Sequence, residues 1–513
     1  MLGGGPPRLH EGKREAKLVC LLMKGERQDV TGTAKVLWRA VARAAIAIAG
    51  LSFVMSAPLA SVPDDSPSGF RQAAPVASSP ARHAIVISID GLMPASYTEA
   101  DARGLKIPTL RRLMAGGAWS PGVTGVMPSV TYPSHTTMAT GVSPRAHGIV
   151  SNGVFDPTGV RDGEWHWYEA EIRVPTLWQL ARAQGLRTSL ISWPVTMGAQ
   201  GDAVMPEFWR GRGIDGPRLM RAISSPGMWE SVANRFPGFE AGFEALPAKD
   251  DSIADVAIDV IERLRPNLLL LHLPGVDHQQ HEHGPWSPEA LAAIETADEQ
   301  IGRVAEAARH AGIWPSTLFL VVSDHGFTRQ EKMVRPGVLL RQHGLITLDE
   351  KGKVSAWRAA AASSSGSAYI YLHDPADLDA ARSVRELFAP LAGQPGSGIR
   401  RVLGPEEIAA LGGDSQAILA IEPADGFGIA GGVSGEFIVP ALTPGIHGLP
   451  PDREMMNASL ILNGPGVHPG KIDGARLVDI APTVALWLGL RLEHAEGTPL
   501  QSLAAPHAAS RPN

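Results

Sequence analysis

Cysteine is nearly missing from this chain: Cys20 is the single thiol among 513 residues. One thiol builds neither a disulfide framework nor a thiolate metal site. Basic charge is not in excess either. A formal net charge of −6 argues against a surface that coats nucleic acid, so no duplex binding is expected. Long apolar runs are also absent. The stretch AAIAIAGLSFVMSAPLA at 44–60 is too short and interrupted for a comfortable membrane span. Aromatic residues make up only 6% and charged residues 19%, with 44% hydrophobic residues. That composition excludes a disordered chain or a membrane bundle and allows one large core or two medium ones.

The N-terminal region is distinct. Residues 1–43 are basic, Arg39 and Arg43 precede the apolar stretch, and small residues follow it. This order reads as a secretory signal peptide, so residues 1–60 are assigned to an N-terminal extension and signal, with Met23 as an alternative start. Cleavage near Ala57 or Ala60 would remove nine basic and four acidic residues, and Cys20 with them, leaving a net charge of −11. The expected location is the periplasm or the cell exterior, with no stable membrane anchor after cleavage. Residues 61–82, rich in Pro, Ser and Ala, form a linker, and 501–513 form a C-terminal tail.

Between 83 and 500, apolar runs alternate with amphipathic segments. HAIVISIDG, RTSLISWP, NLLLLHLPG, TLFLVVSDHG and NASLILNGPGV read as strands, the continuous runs being those of a sheet buried on both faces. PTLRRLMAGG, VPTLWQLARAQGL, the long segment 287–312 and LVDIAPTVALWLGL read as helices, the long one with a Ser-Pro start. The expectation is an α/β fold, a mainly parallel central sheet with helices on both faces. Residues 329–440 break the pattern with the low-complexity AAAASSSGS, a candidate strand SAYIYLH and a helix around 375–391. They are read as an inserted cap subdomain.

Polar residues gather where the apolar runs end. Asp90 closes HAIVISID, Asp324 and His325 close TLFLVVSDH, Asp277 and His281 follow NLLLLHLPG, and His447 sits in TPGIHG. In open α/β sheets, ligands bind outside the carboxyl ends of the strands. Three carboxylates and three imidazoles without thiolate suit zinc or a similar borderline ion. Six ligands exceed the need of one catalytic zinc, and two ions a few ångströms apart would clamp a phosphoryl transfer. The choice among His278, His281 and His283 is open on spacing alone. In PSVTYPSHTTMATG, Pro133 fits the first turn of a helix, which puts Thr131 at or just before its N-terminus. Backbone N–H groups there favour a phosphate, and a metal ion would activate the hydroxyl without a side-chain base. Asn152, in HGIVSNGVF, is placed to donate to a non-bridging phosphoryl oxygen. Each residue has a bland alternative, a turn or a helix cap; the set as a whole does not.

The ordered segments IDGL, PSVTYPSHTTMATG, HGIVSN, VDHQQHEHGP, VVSDHGF and GIHG resemble the alkaline phosphatase superfamily, and most closely its nucleotide pyrophosphatase/phosphodiesterase family. The resemblance implies an alkaline-phosphatase-like fold over 83–500. It also implies two zinc ions per chain, one on Asp90, Asp324, His325 and the Thr131 oxygen, the other on Asp277, His281 and His447. Thr131 would be the nucleophile, forming a phosphothreonine intermediate, and Asn152 would hold a phosphoryl oxygen. Tyr132 stands where relatives often carry a substrate-holding phenylalanine, and Ser134 replaces an asparagine. Trp193 and Trp209 are candidates for a second aromatic partner.

The leading expectation is zinc-dependent hydrolysis of phosphodiester or pyrophosphate bonds in nucleotide-like or other small substrates. A phosphomonoesterase or phosphonate hydrolase on the same scaffold is the rival. A monoester dianion calls for extra Arg or Lys near the metals, and only Arg210 and Arg212 are candidates. A sulfatase is disfavoured, because its modification motif is absent around Thr131. A catalytically silent binding module would have lost ligands or nucleophile, and none is missing.

Overall fold

The structure, a computed structural model, describes residues 81–503 apart from 162, 211 and 212. The signal segment, Cys20, nearly all of the linker, Arg212 and most of the tail lie outside the described residues.

Eight strands form the central sheet: β1 (His83–Ile89), β2 (Ala118–Val123), β3 (Thr188–Ile191), β4 (Ala203–Met205), β5 (Leu268–Leu273), β6 (Thr317–Val322), β7 (Ala458–Asn463) and β8 (Gly470–Lys471). Their spatial order is β8-β2-β7-β6-β1-β5-β3-β4. From β6 to β4 every pairing is parallel. Only β7 runs against its neighbours β6 and β2. The strands expected from apolar runs are all present, and every residue of β1, β5 and β6 is buried.

Seven helices matter here: α1 (Pro108–Ala115), α2 (Thr131–Thr140), α3 (Leu177–Ala183), α4 (Asp250–Leu264), α5 (Gly275–His283), α6 (Pro288–His310) and α7 (Ile480–Leu488). The two-residue period of the strands divides the core. Ile85, Ile87, Leu269, Leu271 and Val321 face one layer, built from α1, α4 and α6. Ala84, Val86, Leu268, Leu270 and Leu320 face the other, built from α2, α3 and α7. Helix α6 begins as its sequence suggests, with Ser287 accepting from the Ala290 N–H and Pro288 in the first turn.

Beyond β6 the chain enters the inserted segment through a strand at Thr328–Val334 and returns through Gly445–Ile446. These two pieces pair directly, Gly445 with Arg329 and Ile446 with Thr328. Between them lies a four-stranded antiparallel sheet, ordered Ala359–Ser363, Ala368–Leu372, Leu419–Pro423, Ile399–Leu403. Helix Leu378–Phe388 packs on it through Val384 and Phe388. The run AAAASSSGS is therefore not featureless: its alanines form an edge strand, and its later serines make the turn into the neighbouring strand, the Ser364 N–H donating to the Ser367 carbonyl.

Candidate active site

Asp90 follows β1, Asp324 and His325 follow β6, and β5 leads through Pro274 into α5. These three strands are adjacent, so their C-terminal ends deliver the side chains to one place. Asp277 lies in the first turn of α5 and His281 one turn later, on the same helix face. His447 follows the return strand of the insertion. Thr131 is the first residue of α2, after extended Val130. Asp90, Thr131, Tyr132, Asn152, Asp277, His281 and His447 all border one cavity of about 370 Å³.

The expected ligands converge. His325 Nε2 lies 3.2 Å from Asp90 Oδ1 and 3.1 Å from Asp324 Oδ2, and these three form one compact triad. Asp277 Oδ1 lies 3.5 Å from His281 Nε2 and 3.6 Å from His447 Nε2. The second compact triad consists of Asp277, His447 and His325, whose ring lies parallel to that of His447 at 3.7 Å. His281 stands at Asp277 without closing a triad of its own.

The donor set fits cations. Asp90 Oδ1, Asp277 Oδ1, Asp324 Oδ2 and His325 Nε2 are buried without a hydrogen bond, a costly arrangement unless something occupies the space between them. The imidazoles are tied from behind: Nδ1 of His281, His325 and His447 faces the carbonyls of Gly445, Gly326 and Ser129, each at 3.1 Å. A carbonyl only accepts, so Nδ1 donates and Nε2 presents its lone pair to the centre. Electrostatics point the same way. Burial, then the charge of Asp324, pushes Asp90 up to about 8. Burial pushes Asp277 up to about 7 and His447 well down. Carboxylates so desolvated call for a positive partner.

Thr131 sits where the helix start is already partly used. The Tyr132 N–H donates to Asn152 Oδ1 at 2.8 Å, and Pro133 has no N–H. The helix start therefore offers the Thr131 N–H and its dipole, fewer donors than the sequence suggests. The bond to Tyr132 fixes the Asn152 amide and leaves its NH₂ as the donor end.

Several residues of the site were not anticipated. His272, inside the apolar run of β5, is wholly buried; its Nε2 lies 3.1 Å from Asp90 Oδ2 and its Nδ1 3.1 Å from the Ser192 carbonyl. Ser192 adopts φ +54, a left-handed conformation unusual outside glycine. A histidine interrupting LLLL is the signal that could have found it. Buried Glu207 accepts from the Trp209 indole N–H at 2.7 Å and lies 3.6 Å from His272; burial raises it to about 7. His135, one turn after Thr131, donates from Nδ1 to the Thr131 carbonyl. Of the aromatic candidates, Trp209 borders the cavity beside Trp165, their rings stacked at 6.0 Å. Trp193 belongs to the core and packs on His135. Tyr132 is buried at the cavity wall, edge-on to Trp165 and Trp167. Arg210 does not border the cavity; its guanidinium donates to the Gly163 carbonyl.

A mainly parallel sheet with carboxylates and imidazoles at the carboxyl ends of β1, β5 and β6 defines the alkaline-phosphatase-like class of α/β folds. Within that class the chain belongs to the type I phosphodiesterase / nucleotide pyrophosphatase family, whose model matches residues 84–410. An uncharacterized pyrophosphatase/phosphodiesterase of Schizosaccharomyces pombe is 30% identical over 256 residues, 47% of this chain and 44% of that protein. Human ectonucleotide pyrophosphatase/phosphodiesterase family member 1 is 23% identical over 251 residues, 47% of this chain and 23% of its own length. The matches thus span less than half of these curated relatives. Among solved structures, human ectonucleotide pyrophosphatase/phosphodiesterase 5 superposes with a TM-score of 0.58 at 19% identity, covering 81% of this chain and 97% of that one. An inactive form of the murine counterpart, solved in complex with AMP, gives the same values.

Proposed function

We propose that the protein hydrolyses phosphodiester or pyrophosphate bonds of nucleotide-like or other small substrates through a phosphothreonine intermediate on Thr131. The observation that carries this reading is the set of orphaned ligand atoms on Asp90, Asp277, Asp324 and His325 beside the first residue of α2. Asp90, Asp324 and His325, with the Thr131 oxygen, would hold one divalent ion, and Asp277, His281 and His447 the other; the nitrogen–oxygen donor set favours zinc. When bound, such ions supply the positive potential that ionises the Thr131 hydroxyl and offsets the charge of the transferring group.

The chain's own residues do the rest. Thr131 Oγ attacks phosphorus in line with the leaving oxygen, which departs with the bonding electron pair. The Asn152 NH₂ and the Thr131 N–H face the non-bridging oxygens, where charge concentrates. Water then attacks the phosphothreonine, restoring the hydroxyl and releasing the phosphate product. Among the described residues, no Lys or Arg borders the cavity, which favours the singly charged diester over the monoester dianion.

The test uses purified protein with measured metal content and four substrates: bis(p-nitrophenyl) phosphate, p-nitrophenyl phosphate, a phosphonate ester and ATP. About two zinc ions per chain are expected, with the diester turned over faster than the monoester. Thr131→Ala should lower turnover about 10³-fold or more while keeping the metal. Undiminished activity in that variant would end the nucleophile assignment. A periplasmic or extracellular location is part of the proposal and rests on the basic, then apolar, N-terminal segment. Among the described residues no helix is long and apolar enough to cross a membrane. Fractionation of the native host checks the location.

A further inference from the structure

The inserted segment brings a turn of three serines to the reaction cavity. Ser363, Ser364 and Ser365 border it together with Thr131, Asn152 and His447. The turn is held within itself and from a neighbouring strand, Gly426–Ile429. The Ser364 N–H donates to the Ser367 carbonyl at 2.8 Å, and the Gly366 N–H to the Ser364 carbonyl at 2.7 Å. The Ser363 hydroxyl donates to the Ile429 carbonyl at 3.1 Å, and the Ile429 N–H to the Ser365 carbonyl at 2.7 Å.

Close backbone approaches tie this turn to the reacting residues. A Cβ on Gly366 would stand 2.5 Å from the His447 carbonyl oxygen. One on Gly448 would stand 2.2 Å from the Ser364 carbonyl oxygen and 3.0 Å from Val130 Cγ1. Gly448 follows His447 and Val130 precedes Thr131, so the turn rests on backbone that touches both a ligand segment and the approach to the nucleophile.

Two of the three hydroxyls are unused. Ser364 Oγ is buried with no hydrogen bond. The Ser365 hydroxyl, on a partly exposed residue, makes none with any described residue. Ser365 also adopts φ +58, a left-handed conformation that glycine takes at much lower cost. Strain of this kind clusters at working sites. An in-line displacement sends the leaving oxygen away from Thr131, and two ligand groups clamp the attacking and departing oxygens. Thr131 belongs with Asp90, Asp324 and His325, so the departing oxygen lies toward Asp277, His281 and His447, where the serine turn is seated. Among the described residues no Lys or Arg borders this cavity, and hydroxyl donors are what this wall offers to the leaving group.

We propose that Ser364 and Ser365 are specificity-determining residues whose hydroxyls donate to the leaving group of the substrate. They favour a leaving group with oxygens on the atom bonded to the departing oxygen, a phosphate or pyrophosphate, over an aryl or alkyl group. This rests on the hydrolase reading above and narrows its substrate class.

The test compares the full chain with Ser364→Ala, Ser365→Ala and Ser365→Gly on two substrates. Bis(p-nitrophenyl) phosphate releases an aryl oxide, and ATP cleaved to AMP releases pyrophosphate. Each variant should lower kcat/KM for ATP, relative to bis(p-nitrophenyl) phosphate, by about 10-fold or more, the worth of a hydrogen bond to a charged group. Ser365→Gly should do so while keeping or raising Tm, because glycine relieves the left-handed strain. A serine with only a structural role would leave the substrate ratio alone. Equal losses on both substrates, or an unchanged ratio in the Ser365 variants, would overturn the assignment. A wild-type protein that cleaves bis(p-nitrophenyl) phosphate but not ATP would refute this inference and leave the hydrolase reading standing; one that cleaves neither would refute both.

Discussion

Two buried histidines carry opposite lessons at the scale of single residues. His272 braces Asp90 from behind, holding the far carboxylate oxygen at 3.1 Å. Groups in that position typically hold 10–100-fold of metal affinity. His272→Ala is expected to lose about that factor in retention of the first ion against a chelator, and His272→Gln to recover part of it. Metal content after dialysis is the readout. His147 sits away from the cluster, with its Nδ1 accepting the Ile149 N–H and its Nε2 near the Thr137 hydroxyl. Burial holds it neutral, down to about 3 from an ordinary value of 6.5. Between those values the unfolded chain binds a proton that the folded chain refuses. Stability is therefore full above the ordinary value and falls as pH drops through the window, at up to about 1.4 kcal/mol per pH unit. Denaturant unfolding at pH 7 and 5 should show this slope, and His147→Gln should reduce it.

At the scale of elements, the decisive junction is the pairing of 328–329 with 445–446. Gly445 lies against α5 so closely that an added Cβ would stand 1.9 Å from the Gln280 carbonyl oxygen. The Gly445 carbonyl is also the acceptor for His281 Nδ1. Gly445→Ala should therefore cost about 1–3 kcal/mol through overpacking and, at the same time, loosen His281. Thermal unfolding and metal stoichiometry measure the two effects separately. This junction also marks how far the sequence could be read. Asp90, Asp324 and His325 were legible because each closes an apolar run, and such runs make strands with few alternatives. His447 was singled out by its GIHG segment, but its placement was not legible. It follows a two-residue strand whose partner residues lie 116 and 118 positions earlier, and nothing local encodes that pairing. The alanine edge strand was hidden for a similar reason: alanine favours helix, and here the neighbouring strand Ala368–Leu372 decides. Trp193 and Trp209 look alike in sequence; only the fold sends one to the core and the other to the cavity.

For the molecule as a whole, the ligand cluster joins separate layers. Asp90 and Asp324 extend from the central sheet, Asp277 and His281 from α5, and His447 from the return of the insertion. Bound cations would tie these elements together only in the folded chain, so binding and folding are linked. Free zinc at a hundred times its dissociation constant should stabilise the protein by about 2.7 kcal/mol. Stripping the metal should lower Tm, and adding it back should restore the original value. A Tm indifferent to metal would contradict the proposed centre. The two-sided core was legible throughout, because β1, β5 and β6 each present alternate residues to opposite layers.

The inserted sheet departs and rejoins at neighbouring rungs of one ladder, yet its Ser363–Ser365 turn borders the reaction cavity. Changes at Ser363–Ser365 would reshape the mouth of the site, while the rungs at 328–329 and 445–446 hold the segment that leads into His447 in register.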